Sequence, residues 1–377
     1  MTKMRIGVIG CGNISMTYMR NAGLFNNIQL TACADIMAES AAQRAAEYGI
    51  EAMTVDALLA SDTVDMVLNL TIPTEHHRVT LAALNAGKHV FTEKPLAVSV
   101  ELARELVETA RAKNLGLGSA PDTYLGAAGR KARQLIEAGD IGRIIAGTAF
   151  MMGHGMEHWH PSPEFYYQPG GGPVLDMGPY YISMLVNLLG PATRVVGMGS
   201  TGNPTRLITA DGPNKNTRFK ATTETTVMSV VEFSSGALVT VGMSWDVWKQ
   251  GHAPIELYGE NGSLQLPDPD TYGGDVLFSL EGREWQTFAS KGALLGDINW
   301  PYDKPRLANY RMAAVAEMAD AITKGATPRA TGLNALHVLE ILEAMLTSAR
   351  TRLPVDITTS CTPAAPMTDD AIRSLLT

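Results

Sequence analysis

The chain has 377 residues, 45% of them apolar and 18% charged, with a formal net charge of −8 and three cysteines. Its length exceeds one ordinary core and implies two domains. The acidic balance argues against a nucleic-acid partner, and no apolar run is long enough to span a membrane. Cys11, Cys33 and Cys361 are far apart and odd in number, which fits a reducing cytoplasm rather than a disulfide frame. The amino end runs straight into a strand, not a signal peptide.

In chain order, "MRIGVIG", "IQLTACAD", "VDMVLNLT", "KHVFTEK" and "LGLGSAP" are short, nearly continuous apolar runs, the pattern of parallel strands buried on both faces. Helix-like segments alternate with them, so the first part is an α/β domain: a doubly wound parallel sheet of the Rossmann type. The first strand is followed by Gly10-Cys11-Gly12-Asn13-Ile14-Ser15, and Asp35 ends the second strand. Gly10 allows the tight turn. Gly12 lets the backbone, with Asn13 and Ile14, approach a pyrophosphate at a helix N-terminus. Ser15 stands at the third glycine position, where a small side chain still permits close packing. Asp35 would accept hydrogen bonds from the adenosine ribose and repel a 2′-phosphate. Ile36 offers no compensating cation, so the expected cofactor is NAD rather than NADP.

Ligands of such sheets lie beyond the carboxyl ends of the strands. "TIPTEHH" puts Thr71, Pro73 and His76 at one such end, and "TEKP" puts Glu93, Lys94 and Pro95 at the next. Burial and a neighbouring nicotinamide cation would both lower the pKa of Lys94, which suits it to exchange a proton with a substrate hydroxyl. A structural ion pair is the alternative for that lysine.

Farther on, "TTVMSVVEFSSGALVTVGMSW", "IELYGENGSLQL" and "VLFSLEGREWQTF" read as hairpins around Ser234-Ser235-Gly236, Asn261-Gly262 and Glu281-Gly282. "YRMAAVAEMADAITKG" and "LNALHVLEILEAMLTSAR" are amphipathic helices. The expected division is a cofactor domain over 1–122, a substrate and oligomerisation domain over 123–352, and a tail with a short helix over 353–377.

"GVIGCGNIS", "ACADI", "AGKHVFTEKPLA", "IEAGDIGRI" and "GGGPVLDMGPYY" occur in the order seen in the Gfo/Idh/MocA oxidoreductases, and the resemblance covers nearly the whole chain. It implies a C-terminal α/β domain with an open, mainly antiparallel sheet flooring the substrate cleft. It also implies a catalytic role for Lys94, an unusual bond before Pro95 for which cis is the candidate geometry, and a homodimer or homotetramer. The family pattern places His four residues after the Asp. Here Asp176 matches and Tyr180 replaces the histidine.

A phenol near pKa 10 is a poor solitary base and a good hydrogen-bond donor. The reading therefore gives Lys94 the proton, Tyr180 the reacting hydroxyl and Asp176 an adjacent hydroxyl. A wedge between helix and sheet is the alternative for Tyr180. In "MMGHGMEHWHPSPEFYY", His154, His158 and His160 with Met151, Met152 and Met156 fit no firm metal signature, and no metal is expected. Trp159 and His160 would meet a sugar ring, or else the loop covers a sheet edge or a subunit contact. The function read from all this is NAD-dependent hydride transfer to or from a sugar, sugar-derivative or polyol hydroxyl. The rivals are an NAD-assisted glycoside-cleaving enzyme and a non-catalytic dinucleotide-binding sensor.

Overall fold

The computed structural model describes residues 3–301 and 307–377. Its elements in chain order begin β1 (Met4–Ile9), α1 (Asn13–Ala22), β2 (Ile28–Ala34), α2 (Ala38–Tyr48), β3 (Glu51–Met53), α3 (Val55–Ala60) and β4 (Met66–Asn69). Then come α4 (Pro73–Asn85), β5 (His89–Thr92), α5 (Val100–Ala112), β6 (Leu117–Ser119), α6 (Ala127–Glu137), β7 (Ile144–Met152), α7 (Gly172–Asp176) and α8 (Gly178–Leu189). The strands β8 (Ala192–Ser200), β9 (Thr205–Leu207), β10 (Arg218–Lys220), β11 (Thr226–Phe233) and β12 (Leu238–Ser244) follow. The hairpin pairs β13 (Ile255–Gly259) with β14 (Gly262–Leu266) and β15 (Val276–Leu280) with β16 (Gln286–Phe288) come next. The chain closes with α9 (Ala313–Thr323), α10 (Gly332–Thr351), β17 (Val355–Asp356) and α11 (Asp369–Leu375).

Two compact units result. The first comprises 1–127, 292–339 and 363–377, and the second 128–291 and 340–362. The first unit holds a six-stranded parallel sheet in the order β3-β2-β1-β4-β5-β6. The order reverses between β1 and β4, which is the switch point where such sheets bind ligands. Val67, Val90 and Ala32 pack in its core with Leu84, Leu106, Leu336 and Leu339 from the helices. The carboxyl terminus stays with this unit: Leu376 bridges to Phe25, and the Asn26 amide donates to the Ser374 carbonyl at 3.0 Å.

The second unit is a nine-stranded sheet, β16-β15-β14-β13-β7-β12-β11-β8-β17, with β7 and β12 parallel and the other pairs antiparallel. Alternation gives it two unlike faces. Val227, Val231, Val239, Val241 and Leu257 are buried, whereas Val196, Met198, Met228, Val230 and Leu238 are exposed. The hairpin expected at Glu281-Gly282 closes with both residues at positive φ, 54° and 72°, as a two-residue turn with left-handed backbone requires.

Candidate active site

Three loops stand at the carboxyl edge of the first sheet, where such sheets bind ligands. Gly10 has φ 100°, and a Cβ there would lie 2.5 Å from the Leu70 carbonyl carbon, so only glycine lets the β1–α1 turn pass the end of β4. A Cβ on Gly12, by contrast, meets no chain atom within 4 Å. Gly12 is also the N-cap of α1 and gives no side-chain cap, so the first N–H groups of a ten-residue helix are left for a ligand. Ser15, at the third glycine position, is buried. Its hydroxyl donates to the Gly12 carbonyl at 2.6 Å and accepts from Arg44 Nε at 3.2 Å.

Asp35 accepts from the backbone N–H groups of Cys11 (2.7 Å) and Met37 (2.8 Å), one at each carboxylate oxygen. Both oxygens keep a lone pair for a ribose hydroxyl. Ile36 beside it is 94% exposed. The donor set fits a dinucleotide: N–H groups and open space at Gly12, Asn13 and Ile14 for the diphosphate, and an acceptor at Asp35 for the ribose.

At the ends of β4 and β5 the side chains hold backbone to backbone. Thr71 donates its N–H (3.2 Å) and hydroxyl (2.7 Å) to Asn69 Oδ1, and Pro73 opens α4. His76 is 1% exposed; its Nδ1 lies 2.6 Å from the Pro95 carbonyl and its Nε2 2.9 Å from the Thr71 carbonyl. Two carbonyls favour a doubly protonated ring, yet burial outweighs them and holds the imidazole pKa below its ordinary value. The neutral ring can donate to only one of the two carbonyls.

Glu93 is buried. Its Oε1 accepts from the Tyr18 hydroxyl at 2.8 Å, and its Oε2 from the Lys94 N–H at 2.8 Å. The Lys94–Pro95 bond is cis, as the resemblance implied. Tyr18 and Asn69 escaped the sequence reading. The available signals were an asparagine inside an otherwise apolar strand and a tyrosine on the buried side of α1.

Asp176, Tyr180, Trp159 and His160 belong to the second unit. Asp176 closes the short α7, the chain breaks at Met177, and Tyr180 stands in the first turn of α8, behind Pro179. Tyr180 keeps 7% exposure, and its neighbour Tyr181 is buried with its phenol pKa raised by that burial. Trp159 is 55% exposed and meets His160 edge-on, with ring centroids 5.4 Å apart. The Ser162 N–H donates to His160 Nδ1 at 3.1 Å, which puts the neutral ring's proton on Nε2.

Beside this loop opens a cleft of about 700 Å³ lined by His154, His158, Asn203, Arg206, Arg218 and Trp248 among others. Trp248 is 82% exposed and stacks on His154 with centroids 3.4 Å apart. Beneath it the buried Arg206 bonds to Glu157 Oε1 (3.0 Å), to Asp246 and to the Trp245 carbonyl (3.1 Å), and Tyr167 also bonds to Glu157. Burial would raise the Asp246 pKa; bonds from Thr225 and Thr226 and the charge of Arg206 outweigh it and hold it low. Among the described residues, no group of three or more His, Cys, Asp or Glu side chains is placed to hold a metal ion. No helix there is long and apolar enough to cross a membrane.

Residues 4–119 match the oxidoreductase family with an NAD-binding Rossmann fold, and residues 130–265 match the Gfo/Idh/MocA C-terminal domain. The chain belongs to the Gfo/Idh/MocA oxidoreductase family. Its first unit is thus an NAD-binding Rossmann domain. Among relatives in the family, an inositol 2-dehydrogenase of Saccharopolyspora erythraea is 30% identical over 79% of this chain and 88% of its own length. A 1,5-anhydro-D-fructose reductase of Ensifer adhaerens is 29% identical over 94% and 99%. Among solved structures, an NAD-binding oxidoreductase from Klebsiella pneumoniae superposes with TM-score 0.81 at 22% identity, over 95% of this chain and 100% of that one. A levoglucosan dehydrogenase in complex with NADH and L-sorbose gives 0.79 at 21%, over 95% and 100%. At those identities the structural likeness speaks for the fold.

Proposed function

We propose that this family member transfers a hydride between NAD and a secondary or hemiacetal hydroxyl of a sugar, sugar derivative or polyol, with Lys94 exchanging the hydroxyl proton. The observation that carries the reading lies in the first unit. Lys94 stands two residues past the end of β5, a strand two places from β1 and the uncapped N-terminus of α1, a lateral step of about 10 Å across the sheet edge. The polyol and sugar activities in the names of the relatives support the substrate class.

Bound NAD supplies the acceptor for the carbon-bound hydrogen. The N–H groups at Gly12, Asn13 and Ile14 hold its diphosphate, and Asp35 holds the ribose and sets the preference for NAD over NADP. In oxidation, neutral Lys94 Nζ takes the hydroxyl proton as the carbonyl forms; in reduction, the ammonium returns it. In the second unit, Tyr180, standing where the family carries histidine, serves as a hydrogen-bond donor to a substrate oxygen, and Asp176 as an acceptor for a substrate hydroxyl. Trp159 and His160 offer a flat apolar face and an Nε2–H donor to the rest of the ring.

The exposed Val196, Met198, Met228, Val230 and Leu238 make a bare apolar sheet face, which supports a homodimer or homotetramer closed over it. Three buried, unpaired cysteines support a reducing cytoplasmic setting. The test is NADH formation across a panel of sugars and polyols, repeated with Tyr180→Phe. Net NADH from one class, lowered in the variant, supports the reading. Glycoside cleavage without net NADH, or no turnover across the panel, contradicts it.

A further inference from the structure

Six residues beyond Gly12, and so about 9 Å along α1, Tyr18 lies fully buried with its hydroxyl 2.8 Å from Glu93 Oε1. The other Glu93 oxygen takes the Lys94 N–H at 2.8 Å, and the Glu93 N–H itself donates to the Asn69 carbonyl at 2.9 Å. One buried carboxylate therefore joins the helix that opens the cofactor site to the backbone of Lys94, two residues past the end of β5. We infer that Tyr18 and Glu93 are positioning residues for Lys94, which tie the aim of its side chain to the helix whose N-terminus receives the cofactor. The inference rests on the assignment of the proton to Lys94 above.

The chemistry of the pair supports this. A carboxylate with one oxygen on each of two donors is fixed in rotation as well as in place, and bonds to a charged acceptor are the stronger kind. The peptide N–H of Lys94 is the bond closest to its side-chain origin, so a carboxylate that loses its far anchor loosens the turn at the point that aims Nζ. His76 holds the next carbonyl, that of Pro95, at 2.6 Å, while the Tyr18–Glu93 arm runs toward the cofactor helix. A small displacement of a proton-transfer group is enough to slow chemistry by one to two orders of magnitude.

The test labels the full chain with trace acetic anhydride, with and without saturating NAD, and reads Lys94 acetylation by mass spectrometry against the other lysines. In the wild type, NAD slows Lys94 acetylation. Tyr18→Phe keeps the ring and removes only the anchor. It is expected to bind NAD within about threefold of wild type, to lose most of the protection of Lys94, and to lower kcat about 10- to 100-fold with KM for NAD little changed. Glu93→Gln, nearly the same shape, is expected to move protection and kcat the same way, and it serves as the readout if Tyr18→Phe does not fold. Unchanged protection and kcat in a folded, NAD-binding variant overturn the positioning role. If NAD fails to protect Lys94 even in the wild type, the proton assignment falls, and the positioning role falls with it.

Discussion

Gly12 and Gly10 are two residues apart and should respond to alanine in opposite ways. Gly12 has φ −72° and ψ −164°, a conformation alanine adopts, and a Cβ there touches nothing in the chain. Gly12→Ala therefore leaves the free protein as stable as before, or raises its melting midpoint by at most about 4 °C through loss of unfolded-state freedom. On the proposed cofactor assignment, the new methyl sits instead in the path of the diphosphate. Loss of one charge-assisted backbone bond, about 1.5–3 kcal/mol, weakens NAD about 10- to 150-fold.

Gly10→Ala meets φ 100° and a carbonyl carbon at 2.5 Å, so the strain of about 1–3 kcal/mol appears without NAD, as a midpoint lowered by about 2–12 °C. Calorimetry of NAD binding with thermal melts of the free proteins reads both. If Gly12→Ala binds NAD as tightly as wild type, the diphosphate does not pass over Gly12 and the cofactor assignment is wrong.

Arg206→Met should strand the buried carboxylate of Glu157 and the partly buried one of Asp246, at about 3–5 kcal/mol in denaturant unfolding. Breaking the exposed Arg194–Asp356 pair should leave the midpoint unmoved; equal effects would refute the burial argument. Burial lowers the pKa of His76 and His89 from 6.5, so between the folded and unfolded values the unfolded chain binds protons that the folded one refuses. Their contribution to stability is complete above about pH 6.5 and shrinks as pH falls through it. His89→Gln should make that acid loss shallower, and an unchanged slope would count against the shift.

Much of the first unit is legible because strands buried on both faces write themselves as continuous apolar runs, as in "VDMVLNLT" around β4. The strand β3 leaves no such mark: its three residues, Glu51 to Met53, are mostly exposed and too few to write a pattern. In the second unit the turn residues announce the hairpins, but the β7–β12 pairing joins segments about ninety residues apart, and nothing local records it.

The candidate site divides in the same way. Gly10, Gly12, Asp35 and Lys94 stand in short motifs whose spacing carries their chemistry. Tyr18 reaches Glu93 across 75 positions, and Arg206 reaches Glu157 and Asp246 across 49 and 40. These contacts exist only once the chain has folded. His76 shows the limit most plainly, since its place just past β4 is readable and the direction of its ring is not.

The most direct measurement compares wild type with Lys94→Ala in single-turnover NADH formation on the best substrate of the panel, with NAD affinity measured alongside. The expected result is a loss of about 10²- to 10⁴-fold in the hydride step at nearly constant NAD affinity. A variant that reduces NAD as fast as the wild type would show that the proton leaves by another group.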